Sequence, residues 1–237
     1  MSRTAAPARD TRLPEGDDKQ HAVEAMFDRI APRYDRLNRI ISLGQDRRWR
    51  RHTVAALRLP ARAKVLDLGC GTGDLCDVVA GDGYAPVGVD FSAGMLAAAH
   101  TRAPLVRADA LALPMPDASA DGVVSGFALR NFVDPDRFFR ECARVLRPGG
   151  RLAALETGEP ANPLLRAGHH VWFRRVVPLV GARLAHDSEA YQYLPRSTAY
   201  LPAPGELLAL VIAAGFAAVE RHTFTAGAVQ LITGTRR

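Results

Sequence analysis

Cysteine is scarce in this chain, with three in 237 residues, at positions 70, 76 and 142. That number gives neither a paired disulfide framework nor a C-x-x-C metal spacing. Histidines number seven, and the His169-His170 pair has no H-E-x-x-H pattern around it, so no metal is indicated. Long apolar runs are missing too: the longest, Leu207 to Val219, contains Gly215 and is too short to span a bilayer. No charged-then-apolar leader opens the sequence, which makes the cytoplasm the expected compartment. Neither a [DN]-P-P-[YFW] clamp nor a Pro-Cys pair is present for work on a flipped nucleobase, so no nucleic-acid partner is expected. Acidic residues are outnumbered, 25 against 31 Lys and Arg, for a net charge of +6. The excess is local. Arg29, Arg33, Arg36, Arg39, Arg47, Arg48, Arg50 and Arg51 crowd one segment against Asp28, Asp35 and Asp46, which suits either a solvated basic face or peripheral contact with anionic lipid.

What is present is organised around Lys64 to Leu75. An apolar run ends in glycines and resumes as helix-like sequence, which predicts a first strand, a tight turn and a first helix. Gly69, Gly71 and Gly73 carry no β-carbons to hold a ligand off the backbone. A dinucleotide site needs G-x-G-x-x-G with a helix N-terminus facing pyrophosphate. Here the pattern is D-x-G-x-G-x-G, and Asp67 before it and Asp74 after it would repel phosphate and suit a cationic ligand. Asp90 closes Pro86 to Asp90, where a second strand's carboxylate can accept both ribose hydroxyls. Asp109 and Ala110 close a third strand where an adenine amino group would be read.

Along the chain, residues 1–19 are polar with no apolar period and read as a disordered tail. One domain is expected over 20–237. Val23, Met26, Phe27, Ile30, Tyr34, Leu37 and Ile41 recur at helical spacing, Pro32 interrupts them, and a helix over 45–57 turns Trp49 and Val54 inward. Residues 20–60 thus form a helical cap preceding the core. Regular alternation follows: helix 74–80, strand 85–90, helix 92–101, strand 105–109, strand 121–128, a helix from Asp134, and strand 151–156. Residues 157–203, rich in proline and aromatics, break the rhythm as an inserted helical layer. Helix 204–214 and a hairpin of strands 217–224 and 228–235 end the chain. Short strand–helix connections imply a parallel sheet with helices on both faces and ligands at the carboxyl ends of its strands.

The glycine loop with Asp90 resembles the cosubstrate site of class I S-adenosylmethionine (SAM) methyltransferases. Three longer matches narrow the family: Met26-Phe27-Asp28-x-Ile30-Ala31-x-x-Tyr34-Asp35-x-Leu37-Asn38, Leu66 to Leu75, and Phe127-Ala128-Leu129-Arg130-Asn131-Phe132. Together they resemble the ubiquinone/menaquinone biosynthesis C-methyltransferase family from about residue 23 to the C-terminus. The resemblance implies an α/β, Rossmann-like fold with a mostly parallel seven-stranded sheet and an antiparallel C-terminal edge. It implies that Thr72, Asp90, Asp109 and Ala110 contact SAM, alongside the loop residues Asp67, Gly69, Gly71 and Gly73, and that Arg130 and Asn131 stand at the active-site rim. Gly126 replaces a serine usual in the family, and Ala128 replaces a glycine, narrowing the space there.

The implied acceptor is a prenylated quinol of the demethylmenaquinol type. Other acceptors, a phenolic polyketide or a phospholipid amine, stay open, as does SAM binding without methyl transfer and the assembly state, a homodimer included. A ring carbon becomes nucleophilic when its neighbouring phenol ionises, and arginine stays protonated. Arg130 is therefore read as stabilising a phenolate or ordering a water that takes the proton, unless it pairs with Asp134 or Glu156. Tyr34, Asp35, Tyr191 and Tyr193 are candidates for the acceptor pocket.

Overall fold

β1 (Lys64–Leu68) is the axis of the sheet, paired in parallel with β2 (Ala85–Asp90) on one side and β4 (Ala120–Gly126) on the other. The computed structural model describes residues 16–172, 175, 193 and 196–237. With β3 (Leu105–Arg107), β5 (Leu146–Thr157), β6 (Phe216–Phe224) and β7 (Val229–Arg236), the order across the sheet is β3-β2-β1-β4-β5-β7-β6. The first five strands run parallel. β7 lies antiparallel between β5 and β6, so the hairpin forms the antiparallel edge that the resemblance implied.

Parallel strands buried on both faces need apolar residues in both directions. β1 supplies them: Leu66 and Leu68 enter a cluster with Phe138, Phe139, Leu207 and Phe216, while Val65 enters an opposite one with Trp49, Leu75 and Val79. The first cluster is roofed by α6 (Pro135–Val145) and α8 (Pro204–Ala213), the second by α3 (Asp46–Ala55) and α4 (Asp74–Gly81). α6 starts as its sequence dictates, with Pro135 in the first turn and the Asp134 carboxylate accepting the Arg137 N–H at 2.9 Å.

α1 (Gly16–Ile30) and α2 (Tyr34–Ile41) flank a 3-10 turn that contains Pro32 and lay a third apolar cluster, Met26, Ile30 and Ala31, on Met95 of α5 (Ala93–Ala97). α1 starts inside the stretch read as a tail. Lys19 is buried, donates to the Phe132 carbonyl at 2.7 Å and sits 3.8 Å over the Tyr200 ring; these contacts come from distant parts of the chain, so no local period announces them. Residues 1–15 lie outside the described residues. So does most of the 157–203 layer; its described part includes α7 (Pro163–Val171). Among the described residues no helix is long and apolar enough to cross a membrane.

Among the boundaries that differ from the sequence reading, three bear on the site and the sheet. β5 begins at Leu146, because Arg147 to Gly150 form a bulge against β4 rather than a helix-ending loop; the register jumps from Ala120↔Leu146 to Gly122↔Arg151. α5 ends at Ala97, short of residue 101, and β3 stops at Arg107, leaving Asp109 on the loop beyond.

Candidate active site

The turn after β1 is tied to β2, with the Gly69 and Cys70 amides donating to the Val89 carbonyl at 2.8 and 3.1 Å. Gly69 has φ +72°, and a β-carbon there would stand 2.5 Å from Ala128 Cβ. The Gly71 amide donates to Asp90 Oδ2 at 2.7 Å and the Ser92 amide to Asp90 Oδ1 at 2.9 Å. Burial raises the Asp90 carboxyl's pKa, a shift these amides partly oppose. The second strand's acid is thus fixed in place with acceptor capacity left over.

Around this turn lies a cleft of about 950 Å³, counting solvent at its mouth. Its wall includes Gly69, Gly71, Thr72, Asp90, Asp109, Ala110 and Asn131, all candidates from the sequence, together with Tyr34 and Asp35 of α2. Asp109 Oδ1 accepts from the Leu111 amide at 2.8 Å, and its Oδ2 faces Gln20 of α1 at 3.5 Å. Thr72 donates its hydroxyl to Asp35 Oδ1 at 2.6 Å, which stitches the cap to the turn.

Two candidates sit elsewhere. Asp67 is off the cleft wall, because in a strand its side chain shares a face with Val65 and points into the layer under α4. It is 1% exposed, accepts from Cys76 Sγ at 3.3 Å, and burial pushes its carboxyl up to about 7. Gly73 is the N-cap of α4 with φ +94°, packed so closely on Thr101 that a β-carbon would stand 2.4 Å from its Cγ2. It shapes the turn from behind.

A second, larger recess of about 1610 Å³ opens beside the first. Its wall is mostly apolar, with Ile41, Leu43, Trp49, Leu165, Trp172 and Val229. Arg130 lies here rather than on the first cleft. It is 5% exposed, its guanidinium pairs with the fully buried Glu156, and its Nε has no hydrogen-bond partner among the described residues. The pairing with Glu156 weighed from sequence is therefore present. Asn131 Oδ1 accepts from the Tyr193 hydroxyl at 3.2 Å, while Tyr191 lies outside the described residues. Burial raises the pKa of both Tyr34 and Tyr193, keeping them as hydroxyl donors at neutral pH.

The two recesses share three wall residues, Tyr34, Arg50 and Phe127. The recesses therefore adjoin along a partition made of these three side chains.

The profile of the ubiE/COQ5 methyltransferase family matches residues 15–236. The chain belongs to that family. A protein of Roseiflexus sp. (strain RS-1) named demethylmenaquinone methyltransferase is 46% identical over 235 residues, covering 96% of this chain and 98% of its own length. One of the same name from Lactiplantibacillus plantarum is 41% identical, covering 91% of this chain and 96% of its own. Among solved structures, a SAM-dependent methyltransferase of Thermotoga maritima superposes with a TM-score of 0.64 at 21% identity, covering 90% of this chain and 99% of that one. That likeness speaks for the shared fold. As a member of the ubiE/COQ5 family the chain is a SAM-dependent methyltransferase, and readings without methyl transfer are not favoured.

Several residues in or beside this methyltransferase's two recesses were given no site role from sequence. Phe127 has φ +60° and contacts Trp49 edge-on at 6.1 Å between ring centroids. His169 lines the apolar recess, and burial with the nearby His170 lowers its pKa, which favours the neutral imidazole. His100 stands 3.2 Å from Asp74 and 3.6 Å from Asp35, a grouping of metal-ligand type that no sequence spacing reveals. Thr72 and Arg50 already engage those two carboxylates. Arg50, read as part of a basic surface, is 7% exposed. The signal for it was present: Asp46, Arg50, Thr53, Val54 and Leu57 recur at helical spacing, and all five are buried.

Proposed function

We propose that this methyltransferase transfers the methyl group of SAM to a ring carbon of a prenylated quinol of the demethylmenaquinol type. The observation that carries the reading is the pair of recesses sharing one partition, the first lined by carboxylates and the turn, the second large and apolar. The names of full-length relatives point to the same acceptor.

The donor set fits SAM. A nucleoside with a sulfonium and an ammonium group suits a cleft walled by Glu24, Asp35, Asp90 and Asp109. Asp90 would take the ribose hydroxyls and Asp109 with Ala110 the adenine edge, with Gly69, Gly71 and Thr72 against the rest. Bound SAM supplies an electrophilic methyl group, and in-line displacement from sulfur needs alignment at about 3 Å and exclusion of water.

Trp49, Phe127 and Trp172 would exclude water around an acceptor ring in the apolar recess. The Arg130 guanidinium would stabilise the phenolate that enriches the ring carbon, held in orientation by Glu156. Tyr34 faces both recesses and would meet the acceptor, whereas Asp35 and Asn131, the latter bonded to Tyr193, stand on the SAM side.

A long isoprenoid tail leaves through the open end of the recess, rimmed by Leu43, 73% exposed, with Leu164, 81% exposed, on the neighbouring helix. Arg47, Arg48 and Arg51 are exposed on α3 nearby, and this face would rest on an anionic lipid surface. The deciding assay incubates the protein with SAM and either demethylmenaquinol or a tailless naphthol, read by mass. Methylation of the prenylated acceptor ahead of the naphthol is expected. Turnover of neither, with turnover of an unrelated phenol or amine, refutes the assignment.

A further inference from the structure

Five charged side chains line the cosubstrate cleft: Glu24, Asp35, Asp90, Asp109 and Arg50. Four are acids, so Arg50 is the one cation on that wall among the described residues. It is 7% exposed and sits on α3, a helix of the cap. One Nη stands 3.6 Å from Asp74 Oδ2, at the first residue of α4, which places the guanidinium at the helix end of the glycine turn. Its Nε is buried and has no hydrogen-bond partner among the described residues. A buried donor without a partner is costly, and a guanidinium matches a planar carboxylate.

We infer that Arg50 binds the α-carboxylate of the cosubstrate's amino-acid end. This rests on the reading of the cleft as a SAM site and adds the group that reads the ligand's only anion. Without it, that carboxylate would lie among four like-charged groups in a partly desolvated cleft. The Asp74 pair holds the guanidinium by one edge and leaves its other donors for the ligand. Asp35, bonded to Thr72 on the same wall, stands ready for the α-ammonium. Arg50 therefore selects the intact amino acid, while Asp90 and Asp109 select the nucleoside.

The test compares SAM with decarboxylated SAM, the same sulfonium nucleoside ending in a propylamine, by calorimetry on the full chain. The wild type is expected to prefer SAM by about tenfold to a hundredfold, the worth of a hydrogen-bonded charge pair. Arg50→Gln is expected to lose that much affinity for SAM and little for the decarboxylated ligand. Arg50→Lys should recover part of the preference, because it keeps the charge and loses the fork. Folding of Arg50→Gln is favoured by Asp74 keeping His100 at 3.2 Å. Should that variant fail to fold, the wild-type preference and Arg50→Lys still decide. Equal affinity of the wild type for both ligands overturns the inference while sparing the SAM site. Equal losses for both ligands in Arg50→Gln also overturn it, and binding of neither by the wild type refutes the SAM reading itself.

Discussion

The contact between Gly69 and Ala128 gives the sharpest test of how the turn is built. Replacing Gly69 with alanine forces a side chain onto φ +72° and sets its β-carbon 2.5 Å from Ala128 Cβ. The left-handed conformation costs an L-residue roughly 1–2 kcal/mol, and inserting a methyl into a filled site costs about 1–3 kcal/mol. Together Gly69→Ala should destabilise the fold by about 2–5 kcal/mol, lowering Tm by roughly 4–20 °C in a domain of this size. The two causes separate in a double-mutant cycle. Ala128→Gly removes the colliding atom and leaves the backbone conformation alone, so the double variant should recover about 1–3 kcal/mol relative to the sum of the singles. Urea unfolding followed by circular dichroism measures all four proteins, with unchanged m-values as the check that the unfolded state is comparable. Additivity within about 0.5 kcal/mol would mean that Ala128 does not set the space over the turn, and the steric argument would fail.

Further predictions concern charge. Asp67 is protonated more readily in the fold than in the open chain, so its contribution is present at low pH and lost as pH rises from about 4 through about 7, by up to about 4 kcal/mol. Asp67→Asn should flatten that loss between pH 5 and pH 8 in urea titrations, and an unchanged slope would remove Asp67 as its source. Arg130→Ala should cost about 3–5 kcal/mol by leaving the buried Glu156 carboxylate without its cation, held only by the Arg130 and Thr157 amides and the Thr157 hydroxyl. The Arg130→Met, Glu156→Gln double variant should regain most of that stability yet keep a low kcat with near-normal SAM affinity; restored kcat would make Arg130 a structural residue. Gln at Arg47, Arg48 and Arg51 should weaken sedimentation with anionic vesicles by about 1 kcal/mol per residue at low salt. Binding that ignores both the substitutions and the salt would refute a lipid-facing α3.

Much of the first cleft's wall was legible because its information is local. An apolar strand, glycines and an acid at the next strand's end place Gly69, Gly71, Thr72 and Asp90 on one wall from spacing alone. Asp67 shows where that logic stops. It is adjacent to the turn in sequence, but strand alternation sends it into the layer beneath α4, which spacing also encodes when read at period two. Arg50 failed for the opposite reason: a run of arginines reads as solvated by composition, whereas helical periodicity gives one of them the buried face of α3. The first turn of α1 was invisible because Lys19 and Gln20 are held by Phe132 and Asp109, residues far away in the chain. The bulge at Arg147 to Gly150 looked like a loop because proline and glycine mark both.

The partition between the recesses shows how the cap and the core divide the work. Tyr34 and Arg50 come from the cap helices, whereas Phe127 comes from the core, one residue past β4. A non-glycine residue at φ +60° is strained, and strain of this kind persists where surroundings hold it. Here the Phe127 amide donates to the Leu155 carbonyl at 2.7 Å, and its ring meets Trp49 of α3 edge-on. The turn past β4 thereby projects an aromatic side chain onto both recesses at once. Because α3 also carries Arg50, a shift of that helix would move the aromatic contact and the cation together. Alignment at the partition therefore depends on how α3 packs on the sheet, through Trp49 and Val54, as much as on the glycine turn itself.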